Sequence, residues 1–182
     1  MNIVLISTMA RKELLFQSII SLHANASKWD SHTLTLVVDG VPPIERAYVN
    51  RETLIISGGR QGASASRNIG ASSIPKYRRQ EYLMFCDDDC YFCPGWDEKL
   101  ESTLKAYRSS VVSGHGHPYN ISEGQYEISK VRVHAAGVLS TVHLCMPWEI
   151  WDDVGYFMEP GGPGGSEDVD WCRRATEKGY GL

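Results

Sequence analysis

The sequence predicts an α/β layer fold with a mostly parallel central sheet flanked by helices, and three observations carry that prediction. Short apolar runs recur at residues 3–6, 34–38, 54–56 and 82–85, each too brief for a helix and continuous enough for a strand buried on both faces. Between them lie stretches with helical spacing, first Leu15, Ile19 and Leu22, then Ala65 and Ile69, then Trp96, Leu100 and Leu104. Strand and helix therefore alternate, the order expected of helices packed on a sheet. The 182 residues, 42% of them hydrophobic, suffice for one well-buried domain and fall short of two.

Beyond residue 107 the pattern changes to short extended stretches at 111–113, 126–134 and 136–139, separated by turns rich in Gly and Pro. An irregular, partly antiparallel region is expected there. Pro147 opens a short helix through Trp151, and the run Gly161-Gly162-Pro163-Gly164-Gly165 reads as a loop, since neither helix nor strand accommodates it. Ser166 is placed to cap a final helix whose apolar stripe is Val169, Cys172 and Ala175, with Gly179 as its stop.

Composition removes several function classes. A formal net charge of −4 gives no general attraction to nucleic acid, and Lys76, Arg78 and Arg79 form only a small basic loop. The first residues lack the basic lead and long apolar core of a secretory signal, and no apolar stretch reaches transmembrane length. A cytoplasmic chain is expected, with peripheral membrane contact left open. Five cysteines is an odd number, and Cys86, Cys90 and Cys93 lack a zinc-knuckle pairing, so reduced thiols are expected. His115, His117, His134 and His143 could suggest a metal, yet His115 and His117 sit in a Gly/Pro turn without an accompanying acid, a poor basis for a catalytic metal.

The chemistry concentrates at strand ends, where open α/β sheets bind ligands. The strand Tyr82-Leu83-Met84-Phe85 delivers Cys86-Asp87-Asp88-Asp89 to one point, and clustered hard carboxylates there suit a divalent cation such as Mn2+ or Mg2+. Asp39, at the end of the second strand, is placed to accept hydrogen bonds from a base or ribose, with Gly40 allowing close backbone approach. The glycine-rich entry Gly58-Gly59-Arg60-Gln61-Gly62 leads into a small-residue helix and matches neither the dinucleotide fingerprint nor the phosphate loop.

These segments, in this order and over nearly the whole chain, resemble the family-2 type of GT-A nucleotide-sugar glycosyltransferase. Ser7-Thr8-Met9-Ala10-Arg11-Lys12-Glu13-Leu14-Leu15 is similar to the family's opening Pro-Thr-Tyr-Asn-Arg-x-x-Leu-Leu, and Val37-Val38-Asp39-Gly40 to its Val-Val-Asp-Asp-Gly. The Gly62-x3-Ser66-Arg67-Asn68-x-Gly70 element resembles Gly-x3-Ala-Arg-Asn-x-Gly. The acid run followed by Pro94-Gly95-Trp96 resembles the DxD strand and the helix start after it. Ser166-Glu167-Asp168-Val169-Asp170-Trp171-Cys172-Arg173-Arg174 resembles the Glu-Asp-x-Asp-Leu-x-x-Arg segment that carries the base. Departures are Met9 for an aromatic, Ala10 for Asn, Arg60 for Asn, and an end at Leu182 soon after the base helix.

The resemblance implies a single catalytic domain over 1–182, with a nucleotide-binding half over about 1–107 and a C-terminally short acceptor and base half over about 108–182. It implies an inverting, metal-dependent transfer from a nucleotide sugar, a UDP-sugar first, to an acceptor hydroxyl. Thr8, Arg11, Asp39, Gly62, Arg67, Asp87 and Asp88 are then expected at the donor, Asp89 and Asp87 at the metal, and Asp168 as base with Glu167 its rival. Asp88 is the acid expected to be most structural. Trp148 offers the acceptor a flat apolar face, while Trp151 reads equally well as core. The residues 159–165 have the composition of a lid. The alternatives are a nucleotidyltransferase, which would not need the Glu167-Asp168 helix, and a noncatalytic nucleotide- or sugar-binding module.

Overall fold

A computed structural model describes residues 1–7, 12–39, 54–58, 61–113, 136–158 and 166–182, with the backbone alone over 54–58. Six strands form one sheet: β1 (Asn2–Ser7), β2 (Thr33–Asp39), β3 (Leu54–Gly58), β4 (Tyr82–Asp87), β5 (Val112–Ser113) and β6 (His143–Pro147). Their order is β3-β2-β1-β4-β6-β5. The four strands β3, β2, β1 and β4 run parallel, and β6 pairs antiparallel with both β4 and β5. The fold is thus the predicted mostly parallel α/β sheet, with its antiparallel part in the second half.

Alternation along the strands divides the core in two. Ile3, Leu5, Leu34, Leu36, Val38, Met84 and Cys86 face α1 (Lys12–Ala24) and α3 (Trp96–Ala106), where Leu15, Leu22, Leu100 and Leu104 meet them. Val4, Ile6, Val37, Leu83 and Phe85 face the other layer of α2 (Gly62–Ser72), α4 (Trp148–Val154) and α5 (Glu167–Glu177). Strands covered on both faces need no alternation with polar residues, which is why they read as continuous apolar runs.

The second layer sits close because of Gly70. A Cβ there would overlap Val4 Cγ1 and stand 3.1 Å from Val37 Cγ2, so only glycine lets the α2 backbone approach β1 and β2 this far. An aromatic cluster of Phe85, Trp151, Phe157 and Trp171 fills the space between β4, α4 and α5.

α5 ends as predicted at Gly179, whose φ of +88° favours glycine. Tyr180 N–H bonds Ala175 C=O and Gly179 N–H bonds Thr176 C=O, the paired bonds of a Schellman motif. The chain then bridges the sheet margin, with Gly181 N–H on Ser109 C=O and Val111 N–H on Gly181 C=O, both at 2.9 Å.

Several expectations are corrected. Residues 136–139 form no strand; the antiparallel strand of this half is β6, which the sequence reading passed over. Ser166 occupies the N-cap position of α5 without a side-chain hydrogen bond, and Val169 is 47% exposed, so the buried stripe is Cys172, Ala175 and Trp171. The predicted stretch at 126–134, the loop at 159–165, His115, His117 and His134 lie outside the described residues.

Candidate active site

Parallel register brings the strand ends together. Ile6 pairs with Asp87, Ser7 with Val38, and Asp39 with Gly58, so the last residues of β1 to β4 form one margin of the sheet. The three acids of the β4 end diverge there. Asp88 is turned inward, 1% exposed, and accepts the Ser7 hydroxyl at 2.6 Å. Asp89 is exposed. Asp87 is half-buried, and its Oδ1 accepts Arg67 Nη2 at 2.7 Å.

Arg67 rises from α2, 2% exposed, and is the most enclosed cation of the site. Its second nitrogen, Nη1, lies 3.3 Å from Glu167 Oε1 on the first turn of α5, and its carbon Cζ stands 5.8 Å from the Phe157 ring centroid. Among the described residues, Nε has no hydrogen-bond partner. Burial raises the Asp87 carboxyl above its usual value, and the nearby Arg67 charge offsets that only in part.

The loop after the acids is held by polar groups on the buried side of α1. Ser18 Oγ donates to Cys90 C=O at 2.5 Å, Ser21 Oγ accepts Phe92 N–H at 3.1 Å, and Asn25 donates to Phe92 C=O at 2.6 Å. Gly95 then takes φ +69° and starts α3. Asp97 in its first turn accepts the N–H groups of Ser27 and Lys28 at 2.9 Å each and meets His32 Nε2 at 3.0 Å. Position Asp89 is therefore fixed by α1 and α3 together. None of Ser18, Ser21 or Asn25 was foreseen; their signal was serine and asparagine at helical spacing on the side that should be apolar.

Asp39 is 3% exposed, and both its oxygens accept backbone N–H groups, of Gln61 at 2.9 Å and Gly62 at 2.7 Å. The carboxylate thereby closes the N-terminus of α2 from the neighbouring strand, a use that the dipole of that helix favours. Gly62 has φ +88°, which the turn requires. Asn68, also unforeseen, exchanges two hydrogen bonds with the backbone of Phe157, at 2.8 and 3.0 Å. Arg174 adds bonds to the carbonyls of Val154 and Tyr156, and Trp171 one to Gly155. The segment leading to residue 158 is thus secured from α2 and α5.

On α5, Asp168 is partly exposed and accepts the N–H of Val169 at 2.8 Å, while Asp170 is occupied by Arg173 and Arg174. Trp148 corrects the sequence reading. It begins α4 beside Tyr82, at the opposite end of β4 from Asp87, about 17 Å along the strand. It is 5% exposed, donates Nε1–H to Asn2 Oδ1 at 2.9 Å and carries Arg79 4.0 Å from its ring centroid, which makes it a core residue. Trp151 is core as well. Thr8 and Arg11 lie outside the described residues.

The acids at the β4 end are of the type that a divalent cation takes. Hard cations of this kind take one or two carboxylates and complete their shell with phosphate oxygens and water, so Asp87 and Asp89 have the right chemistry without a third protein ligand. The five cysteines are free thiols, and burial pushes Cys90 up to about 12 and Cys86 well above its usual value. No described helix is long and apolar enough to cross a membrane.

Comparison with known proteins agrees with this geometry. The model of Glycosyl transferase family 2 matches residues 4–158. Glycosyltransferase AglE of Haloferax volcanii is 31% identical over 157 residues, covering 79% of this chain and 49% of that protein. The chain therefore spans about half the length of this curated relative. Among solved structures, TarS 1-349 of S. aureus in complex with UDP superposes with a TM-score of 0.68 at 16% identity, over 96% of this chain and 54% of that one. GalNAc-T7 with UDP, GalNAc and Mn2+ gives 0.77 at 14% identity, over all of this chain and 41% of that one. The mostly parallel sheet with its flanking helices is thus a GT-A fold, and the chain belongs to glycosyl transferase family 2.

Proposed function

We infer that the protein transfers a sugar from a nucleoside diphosphate, UDP first, to an acceptor hydroxyl with inversion, and that Asp168 is the base. The observation that carries the reading is that one guanidinium, Arg67, joins Asp87 at the β4 end to Glu167 on the first turn of α5, so that Asp168, the next residue, is brought near the acids. Inversion needs the acceptor to lose its proton on the face away from the departing diphosphate, so base and diphosphate must stand on opposite sides. Glu167 is engaged by Arg67, whereas Asp168 is partly exposed and can meet a hydroxyl.

Asp89 and Asp87 would hold a divalent cation, which when bound neutralises charge on the leaving diphosphate. Asp39 contributes first by fixing the start of α2, and through it the place of Arg67. The molecules bound in the similar solved structures, UDP in TarS and UDP, GalNAc and Mn2+ in GalNAc-T7, support the choice of donor and cation.

Calorimetric titration of nucleoside diphosphates with manganese, magnesium or chelator, against wild type and Asp89→Ala, tests the donor side. Metal-dependent UDP binding that the variant loses is the expected result; no binding to any nucleotide overturns the reading. For the base, Asp168→Asn should abolish transfer, a loss on the order of 10³-fold or more, with UDP affinity kept. A fully active Asp168→Asn protein would remove Asp168 from that role.

A further inference from the structure

We propose that Arg67 is a positioning residue that ties the acid strand to the base helix, and that Glu167 serves the reaction only through it. The inference rests on the reading of Asp87 as donor side and Asp168 as base. Three elements meet at one buried guanidinium: α2 supplies it, the β4 end supplies Asp87 at 2.7 Å, and the first turn of α5 supplies Glu167 at 3.3 Å. A planar guanidinium has separate nitrogens in a fixed fork, so it can hold two carboxylates at a set spacing, which an ammonium cannot do.

The setting makes the tie strong. At 2% exposure, solvent screening of Arg67 is slight, and loss of either carboxylate leaves a buried charge with one partner in place of two. Phe157 closes one side of the guanidinium and is itself anchored to Asn68, the next residue of α2. Ser166 makes no side-chain cap on α5, and Glu167 fastens the first turn to Arg67 and through it to the β4 end. Asp168 follows Glu167 directly and inherits that position.

The division of labour follows from chemistry. Glu167 is spent on Arg67 and does not take the acceptor proton; its neighbour does. Arg67 bears on two kinetic quantities at once, the donor through Asp87 and the turnover through Glu167.

Glu167→Gln keeps the shape and removes the charge. It should lower kcat about 10²-fold, the effect of a small displacement of a catalytic group, while donor KM and UDP affinity stay within twofold. Arg67→Lys reaches one carboxylate at best and should raise donor KM and lower kcat together. In the Arg67→Lys background, adding Glu167→Gln should cost little more, because its route is already broken. Amide exchange at Asp170, whose N–H bonds Ser166 C=O at 2.9 Å, should rise about tenfold in Glu167→Gln, a readout that needs no donor.

An unchanged kcat and unchanged exchange in Glu167→Gln overturns the proposal. So does an equal, independent loss of kcat from Glu167→Gln in both backgrounds, which would make Glu167 a direct participant. Failure of the wild type to bind UDP overturns the donor reading instead, and the exchange measurement then decides the tie on its own.

Discussion

Gly70→Ala would test how α2 is seated on the sheet. The added methyl overlaps Val4 Cγ1 and comes within 3.1 Å of Val37 Cγ2. Both valines are fully buried, and Val4 lies in a strand paired on both sides, so neither can step aside. A β-branched side chain also has few rotamers to escape into. Overpacking of this kind costs about 1–3 kcal/mol, and contact with an immobile strand puts it near 3. Alanine's advantage over glycine inside a helix returns about 1 kcal/mol, which leaves about 2 kcal/mol of destabilisation. Urea unfolding followed by tryptophan fluorescence measures it, with the slope against denaturant unchanged. Val4→Ala opens the space; alone it costs about 2–3 kcal/mol, and combined with Gly70→Ala the total should fall short of the sum by about 1 kcal/mol or more. Because Arg67 lies one turn before Gly70, lifting α2 also draws it from Asp87, and UDP affinity should drop several-fold. A Gly70→Ala protein as stable as wild type, with additive effects in the double variant, would refute the close seating of α2.

Trp148→Phe removes the indole bond to Asn2 Oδ1, which still receives Gln80 N–H at 2.7 Å, so stability should fall by about 1 kcal/mol with kcat unchanged; a fall in kcat in fully folded protein would return Trp148 to the site. Stability should also fall with acid in two steps. Burial, opposed by Asp97, holds His32 below its usual value, so from about pH 6.5 downward the unfolded chain takes up a proton that the fold refuses. Burial would raise Asp97, but the N–H groups of Ser27 and Lys28 together with His32 outweigh it and hold it low, so a second loss begins below about pH 4. His32→Gln should flatten the first step, and equal melting-temperature slopes between pH 7.5 and 5 in both proteins would exclude His32 as its source.

The four parallel strands were legible because double burial writes itself as an unbroken apolar run, and the acids at the β4 end because nothing in a core tolerates three carboxylates in a row. β6 escaped notice because its apolar stretch is only Leu144-Cys145-Met146, shorter than the helix that follows it. Trp148 was misplaced for a different reason: an indole that buries its ring and satisfies its N–H has the same sequence signature as one that stacks on a sugar, and only strand register told which end of the sheet it occupies. The hold of Ser18, Ser21 and Asn25 on the loop after the acids was equally hidden, since small polar residues on a helix read as solvent-facing until a backbone is found beneath them. Asp39 illustrates the reverse case, a carboxylate foreseen at the site whose two oxygens are taken by the backbone of another element.

The Schellman turn at Gly179 and the bridge from Gly181 to Ser109 and Val111 have a mechanical meaning for the base. They pin the far end of α5 to the margin of the sheet, while Glu167 pins the near end, so the helix spans the gap as a beam supported at both ends rather than as an arm swinging from one. A beam of that kind transmits little of its surroundings' motion to its first turn. On the proposed reading, the depth at which a hydroxyl meets Asp168 is then set by the scaffold and stays the same from one acceptor to the next.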